Sequence, residues 1–116
     1  MMPEKVDVAL IMGSKSDKVI LEPFIKKLRE YEVSIAYIIA SAHRTPKDVA
    51  DFVKECYKRG CKAFAGAAGL AAHLPGVIAA NTIRPVIGVP LSSKDRNTAV
   101  NGLDALLSIV QMPTGI

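Results

Sequence analysis

Residues 6–17 have the sequence VDVALIMGSKSD, a nearly continuous apolar run that ends in small and polar residues. Such a run suits a strand buried on both faces of a parallel sheet, because helices cover both sides of that sheet. We therefore predict a strand over 6–12 and a loop that begins at Gly13. The amphipathic stretch after the loop predicts a helix, so the chain begins as an α/β protein.

The same unit recurs along the chain, since each later apolar run also ends in small residues before an amphipathic stretch. The further predicted strands span residues 33–40, 62–65 and 85–89. Repeated strand–helix units predict a doubly wound parallel sheet in a single nucleotide-binding domain over residues 1–116.

The clearest helix signal follows the second strand. Thr45 is a good N-cap, Pro46 suits the first helical position and Asp48 supplies an acid in the first turn. The helix should reach about Arg59, where Gly60 ends it.

The other helices are predicted from apolar spacing alone. The first should bury one apolar stripe, and Pro23 should kink it or delay its start. A helix of small residues should end at Asn81, and an amphipathic helix is predicted over 103–110. The apolar stripe of the first helix consists of Val19, Ile20, Phe24, Ile25 and Leu28.

Composition excludes several classes of protein. The chain has 116 residues, of which 50% are apolar, so it is neither a disordered tail nor a polar linker. The net charge of +4 is spread over helices, and three Tyr, three Phe and no Trp do not favour a nucleic-acid surface. With no apolar run long enough to span a membrane and no signal peptide, we expect a cytoplasmic protein.

The positions of the cysteines and histidines argue against several kinds of reactive site. Cys56 and Cys61 match no zinc-ligand spacing and lie outside the candidate loops, so we predict buried thiols rather than a disulfide or a nucleophile. The two histidines stand far apart without an acidic cluster, so no metal site is expected. No Gly-x-Ser-x-Gly elbow is present.

Ligands of open parallel sheets bind beyond the carboxyl ends of the strands, and three loops there carry unusual residues. The loop over 13–17 offers hydroxyls and helix amides to a phosphate, while Asp17 suits ribose hydroxyls. Alternatively, Ser16 or Asp17 is a simple N-cap. In the second loop, Arg44 suits a phosphate or carboxylate, and His43 can take and give protons near neutral pH.

The third loop contains Gly66 and Gly69 but not the G-x-G-x-x-G spacing of a dinucleotide site. His73 is either a ligand contact or a helix-start residue bonded to nearby backbone. The residues alone therefore predict a phosphorylated small molecule, an arginine clamp and a histidine acid/base.

Four stretches carry a resemblance to a known family: MGSKSD (12–17), SAHRTP (41–46), GAAGLAAHLPG (66–76) and SIVQMP (108–113). Together they resemble the N5-carboxyaminoimidazole ribonucleotide (N5-CAIR) mutases of purine biosynthesis. The resemblance implies a flavodoxin-like, three-layer α/β/α fold that lacks the family's C-terminal segment. It also implies a homo-octamer, a small ribonucleotide substrate and no cofactor or metal.

The resemblance also implies roles for the site residues. His43 would move the proton of a carboxylate shift from N5-CAIR to 4-carboxy-5-aminoimidazole ribonucleotide (CAIR). Ser14, Asp17 and Arg44 would bind the ribose 5-phosphate, and Ser41 would line the same pocket. The imidazole and the trapped carbon dioxide would be held by Gly66, Ala67, Gly69, His73 and Leu74.

Three other functions stay open at this point. A direct carboxylase is the sister branch of the family, but Arg44 and the stretch 71–76 favour the mutase, since that branch has lysine at the first position. The others are a non-catalytic nucleotide-phosphate binding module and a flavodoxin-like electron carrier.

Overall fold

Strands and helices alternate strictly in the computed structural model, which describes residues 2–92 and 101–116. The domain predicted over 1–116 thus includes Met1 and residues 93–100, which lie outside the described residues. The strands are β1 (Val8–Met12), β2 (Ile35–Ile39), β3 (Ala63–Ala68) and β4 (Val86–Pro90). The helices are α1 (Lys15–Glu30), α2 (Pro46–Lys58), α3 (Leu74–Ala79) and α4 (Leu103–Val110).

The four strands form one parallel sheet in the order β2-β1-β3-β4. β1 lies between β2 and β3, with Leu10 opposite Tyr37 on one side and Ala65 on the other. Ala9 through Met12 are fully buried, as the continuous apolar run predicted. Because all strands run the same way, the loops after them meet at one edge of the sheet.

Helices cover both faces of the sheet. On one face, Leu21 and Ile25 of α1 pack with Leu10 and Met12. On the other face, residues of α2, α3 and α4 pack with Ala9 and Ile11 of β1: Val49, Phe52, Val53, Leu74, Ile78 and Ala105. This three-layer, doubly wound arrangement is the predicted flavodoxin-like fold.

β3 extends three residues beyond the predicted strand and includes Gly66, Ala67 and Ala68. These small residues carry no β-branched or aromatic signal, yet Gly66 pairs with Ile11 on one side and Gly88 on the other. The prediction that Gly66 and Ala67 belong to the glycine loop is therefore wrong, because both lie buried in the strand.

α1 begins at Lys15 and continues through Pro23, so the proline does not delay its start. Pro23 is exposed, which leaves the missing hydrogen bond on the solvent side of the helix. The predicted stripe was wrong for Val19 and Ile20, which are 75% and 46% exposed. The buried positions are Leu21 and Ile25.

The remaining helices agree closely with the prediction. α2 runs from Pro46 to Lys58 with Thr45 as N-cap, and Gly60 follows with a φ of +87°. Cys56 and Cys61 are buried and unpaired, as predicted. None of the helices within the described residues is long and apolar enough to cross a membrane.

Candidate active site

A cavity of about 690 Å³ lies at the carboxyl edge of the sheet. It is lined by residues of the loops that follow β1, β2 and β3, so the three loops singled out in the sequence meet around one space. Two backbone hydrogen bonds join the strand ends there, from Gly13 to the Ala67 carbonyl (3.1 Å) and from Leu91 to the Ala68 carbonyl (3.0 Å). Backbone hydrogen bonds therefore fix the starts of the loops after β1 and β4 to the end of β3.

The loop after β1 caps α1 through Ser14 rather than through Ser16 or Asp17. The Asp17 carboxylate accepts a hydrogen bond from the backbone N–H of Ser14 at 3.1 Å, and the hydroxyls of Ser14 and Ser16 lie 2.8 Å apart. All three residues line the cavity. The helix start thus brings two hydroxyls and one carboxylate to the same wall.

The loop after β2 is a tight turn built on Ser41. Its hydroxyl accepts hydrogen bonds from the backbone N–H groups of His43 (3.3 Å) and Arg44 (3.2 Å). The Thr45 hydroxyl accepts from the Ser41 N–H at 2.9 Å instead of capping the amides of α2. Ser41 therefore shapes the loop that carries His43 and Arg44, and all three residues line the cavity.

Arg44 is exposed at the mouth of the cavity. Within residues 2–92 and 101–116, its guanidinium takes part in no ion pair and no hydrogen bond, whereas its backbone is held by Ser41. A guanidinium with unused donors beside several hydroxyls is a suitable site for a phosphate.

The loop after β3 contributes Gly69, His73 and Leu74 to the cavity, together with Ala68 and Leu70. Gly66 and Ala67 are not among the lining residues, because they lie deeper in β3. Leu70 has a φ of +54°, a left-handed backbone conformation that residues other than glycine rarely adopt. This loop is held in shape despite local backbone strain.

The two histidines contact each other in the cavity. Nε2 of His43 lies 2.8 Å from Nδ1 of His73, and the rings meet edge to face with their centroids 5.0 Å apart. His73 is the N-cap of α3, but its side chain bonds to His43 and not to the helix backbone. The alternative that nearby backbone satisfies the His73 side chain is therefore wrong.

Two lining residues lie outside the three loops singled out in the sequence. Ile20 was assigned to the core, but it faces the cavity from α1. Ser92 follows β4 directly and lines the cavity from the fourth strand end. The rule that ligands bind beyond strand ends could have identified Ser92, because it applies to every parallel strand.

The described part of the chain contains no group of three or more histidine, cysteine or acidic side chains that could hold a metal ion. Cys56 of α2 and Cys61, which precedes β3, are buried in the core and are not among the residues that line the cavity. Among the described residues that line the cavity, the ionisable ones are His43, His73, Arg44 and Asp17. The arrangement can bind an anion and transfer a proton.

Comparison with known proteins agrees with this geometry. The sequence profile of the family "AIR carboxylase" matches residues 7–116. A curated N5-carboxyaminoimidazole ribonucleotide mutase from Pyrococcus horikoshii is 49% identical over all of this chain and 63% of its own length. One from Haemophilus influenzae is 44% identical over 99% of this chain and 68% of its own length.

A solved structure, Treponema denticola PurE, superimposes with a TM-score of 0.80 at 30% identity, covering 97% of this chain and 68% of that one. The chain spans less than two thirds of the Pyrococcus horikoshii relative, at 63%. On the family match over 7–116 and on these identities, the chain belongs to the AIR carboxylase family.

Proposed function

We propose that this chain is an N5-CAIR mutase of de novo purine biosynthesis, which interconverts N5-CAIR and CAIR. The observation that carries the proposal is the cavity that Arg44 and the His43–His73 pair line together with the hydroxyls of the first loop. The mutase names of the curated relatives support the same reaction.

The proposed substrate is held at both ends. Arg44 binds the ribose 5-phosphate together with Ser14, because guanidinium and hydroxyl groups donate to phosphate oxygens. Asp17 accepts from ribose hydroxyls. The imidazole lies against the exposed backbone at Gly69 and beside His73 and Leu74, whereas Gly66 and Ala67 support this loop from within β3.

The proposed reaction is an isomerisation whose atoms balance without a co-reactant or cofactor. The carbamate N–C bond breaks, carbon dioxide stays in the cavity, and a new C–C bond forms at C4 of the imidazole. His43 accepts the proton that leaves C4 and returns it to the nitrogen that lost its carboxylate. A positioned general acid/base of this kind contributes about 10²–10⁴ in rate.

The proposal extends to residues 1–116 as one nucleotide-binding domain that acts in the cytoplasm as a homo-oligomer, an octamer by the family resemblance. Large exposed apolar side chains on α4, such as Leu106 and Val110, support self-association.

Isotope retention tests the proposed reaction. CAIR labelled with carbon-13 in its 4-carboxylate is converted by the purified chain in unlabelled bicarbonate, in parallel with His43→Asn. We expect N5-CAIR that keeps the label, and a loss of turnover of at least about 100-fold in His43→Asn. Calorimetric titration with CAIR checks that the variant still binds.

The other outcomes contradict the mutase in distinct ways. Label that exchanges into bicarbonate would support the direct carboxylase. CAIR binding without turnover in either protein would support a non-catalytic binding module.

A further inference from the structure

The contact between His43 and His73 follows from the packing of two helices. His43 precedes α2 and His73 caps α3, and both helices lie on the same face of the sheet. The Nε2–Nδ1 distance of 2.8 Å is within hydrogen-bond range, and the planes meet at 79°. The two rings are therefore joined by one hydrogen bond, whose donor is set by the tautomers of the rings.

The acid/base role proposed for His43 fixes the direction of this hydrogen bond. An acid form of His43 carries a proton on both ring nitrogens, so its Nε2–H can only donate. Nδ1 of His73 must then be the acceptor, with the proton of that ring on Nε2. The same direction also holds when His43 is neutral and protonated at Nε2. This one arrangement thus serves His43 both before and after a proton transfer.

The backbone around His73 is well suited to hold such an acceptor in place. The His73 N–H donates to the Ala71 carbonyl at 2.8 Å, and the His73 carbonyl accepts from Val77 at 3.0 Å in the first turn of α3. In the described residues, Nδ1 of His43 has no hydrogen-bond partner. The free nitrogen of His43 is therefore Nδ1.

We propose that His73 is a positioning residue for His43. Its unprotonated Nδ1 holds the Nε2–H of His43, which orients the ring and leaves Nδ1 of His43 to exchange a proton with the ligand. This inference rests on the proposed function for its consequence in catalysis. The pair itself is a property of the free protein and can be tested without substrate.

The direct test is nitrogen-15 NMR of the imidazole rings in the free 116-residue chain. We expect His73 to be protonated at Nε2 alone and neutral His43 to be protonated at Nε2. In His73→Phe, which keeps a planar ring without nitrogen, the His43 Nε2 resonance should shift. An unchanged His43 resonance in His73→Phe, or a His73 ring protonated at Nδ1, would overturn the proposal.

Steady-state kinetics supply the functional test, with matched variants at the same position. Asparagine places an amide oxygen close to the position of Nδ1, whereas glutamine places its amide near that of Nε2. We expect kcat to fall about tenfold in His73→Phe and His73→Gln, with KM changed less than about twofold, as for the loss of one hydrogen bond. His73→Asn should recover most of this loss.

Two kinetic results would contradict a positioning role. A raised KM with an unchanged kcat would make His73 a ligand contact only, and equal losses in His73→Asn and His73→Phe would show that the acceptor does not matter. Absence of turnover in the unsubstituted chain would refute the proposed function, while the NMR measurement would still decide the histidine pair. Melting temperatures identify any variant that fails to fold.

Discussion

The two cysteines show how burial changes the pKa and the reactivity of individual side chains in this protein. Burial raises the pKa of the Cys56 thiol from 9.0 to about 12, and burial also raises the pKa of Cys61. Both thiols are fully buried, and the Cys61 thiol donates to the Ala63 carbonyl at 3.2 Å. Because a thiolate is the reactive form, neither residue is a nucleophile near neutral pH.

This pKa shift predicts that stability falls as the solution becomes alkaline. The unfolded chain releases the Cys56 proton near pH 9.0, whereas the folded chain retains it to about pH 12. Unfolding therefore releases a proton between these pH values, and the free energy of unfolding decreases as pH rises. We expect urea denaturation from pH 8 to pH 11 to show this fall, and Cys56→Ala to show a shallower one.

The same burial should protect the thiols from a disulfide reagent at pH 8. We expect no thiol to react in the native chain and both to react in urea. Rapid labelling of the native chain, or an equal pH slope in Cys56→Ala, would show that the thiols are accessible to solvent.

At the scale of elements, the packing of α3 on β3 depends on the absence of a side chain at Gly66. A Cβ at this position would lie 2.8 Å from the Ile78 side chain and 3.2 Å from Cα of Pro75. Ile78 can rotate, but the backbone of Pro75 cannot move without shifting the start of α3. We expect Gly66→Ala to destabilise the protein by about 1–3 kcal/mol, measured by thermal unfolding.

Gly13→Ala is the matched control for Gly66→Ala. A Cβ at Gly13 would meet its nearest atoms at 3.6–3.8 Å, which is ordinary van der Waals contact. The control should unfold close to the temperature of the unsubstituted chain. Equal melting temperatures for Gly66→Ala and the control would disprove the close approach of α3 to β3.

The fold was predictable where local signals agree with tertiary packing. α4 has the predicted bounds, 103–110, and α2 begins at Pro46 because its start signals are local. The end of β3 was not predictable, because Gly66 and its alanine neighbours are strand residues only through their pairing with β1 and β4. For α1, the spacing of apolar residues was compatible with a buried stripe that includes Val19 and also with the observed one, which includes Leu21.

The site was predictable as a set of loops but not as a set of contacts. Ligands of parallel sheets bind beyond the carboxyl ends of the strands, and this rule predicted that the loops of His43, Arg44 and Gly69 lie close together. The hydrogen bond between His43 and His73 depends on how α2 and α3 pack, which no local pattern specifies. Ser92 was missed because only three of the four strand ends were considered.

For the whole molecule, the distribution of apolar surface is uneven. Ile87 on the edge strand β4 is 60% exposed, and Val110 on α4 is 62% exposed. Leu103, Leu106 and Leu107 of the same helix are also exposed, and α4 packs on β4 through Ile109, which closely approaches Gly88. The region around β4 and α4 therefore carries an exposed apolar patch.

We expect this α4 surface to bind a second copy of the chain, in line with the proposed homo-oligomer. Sedimentation of the unsubstituted chain over a range of micromolar concentrations should show species larger than a monomer. Leu106→Lys combined with Val110→Lys should shift the chain toward the monomer, because assembly would bury the two ammonium groups unpaired. Val19→Lys is the control, since it adds a charge at an exposed valine of α1 on the opposite face. A monomer at every concentration, or equal dissociation by the control, would show that α4 is not the contact surface.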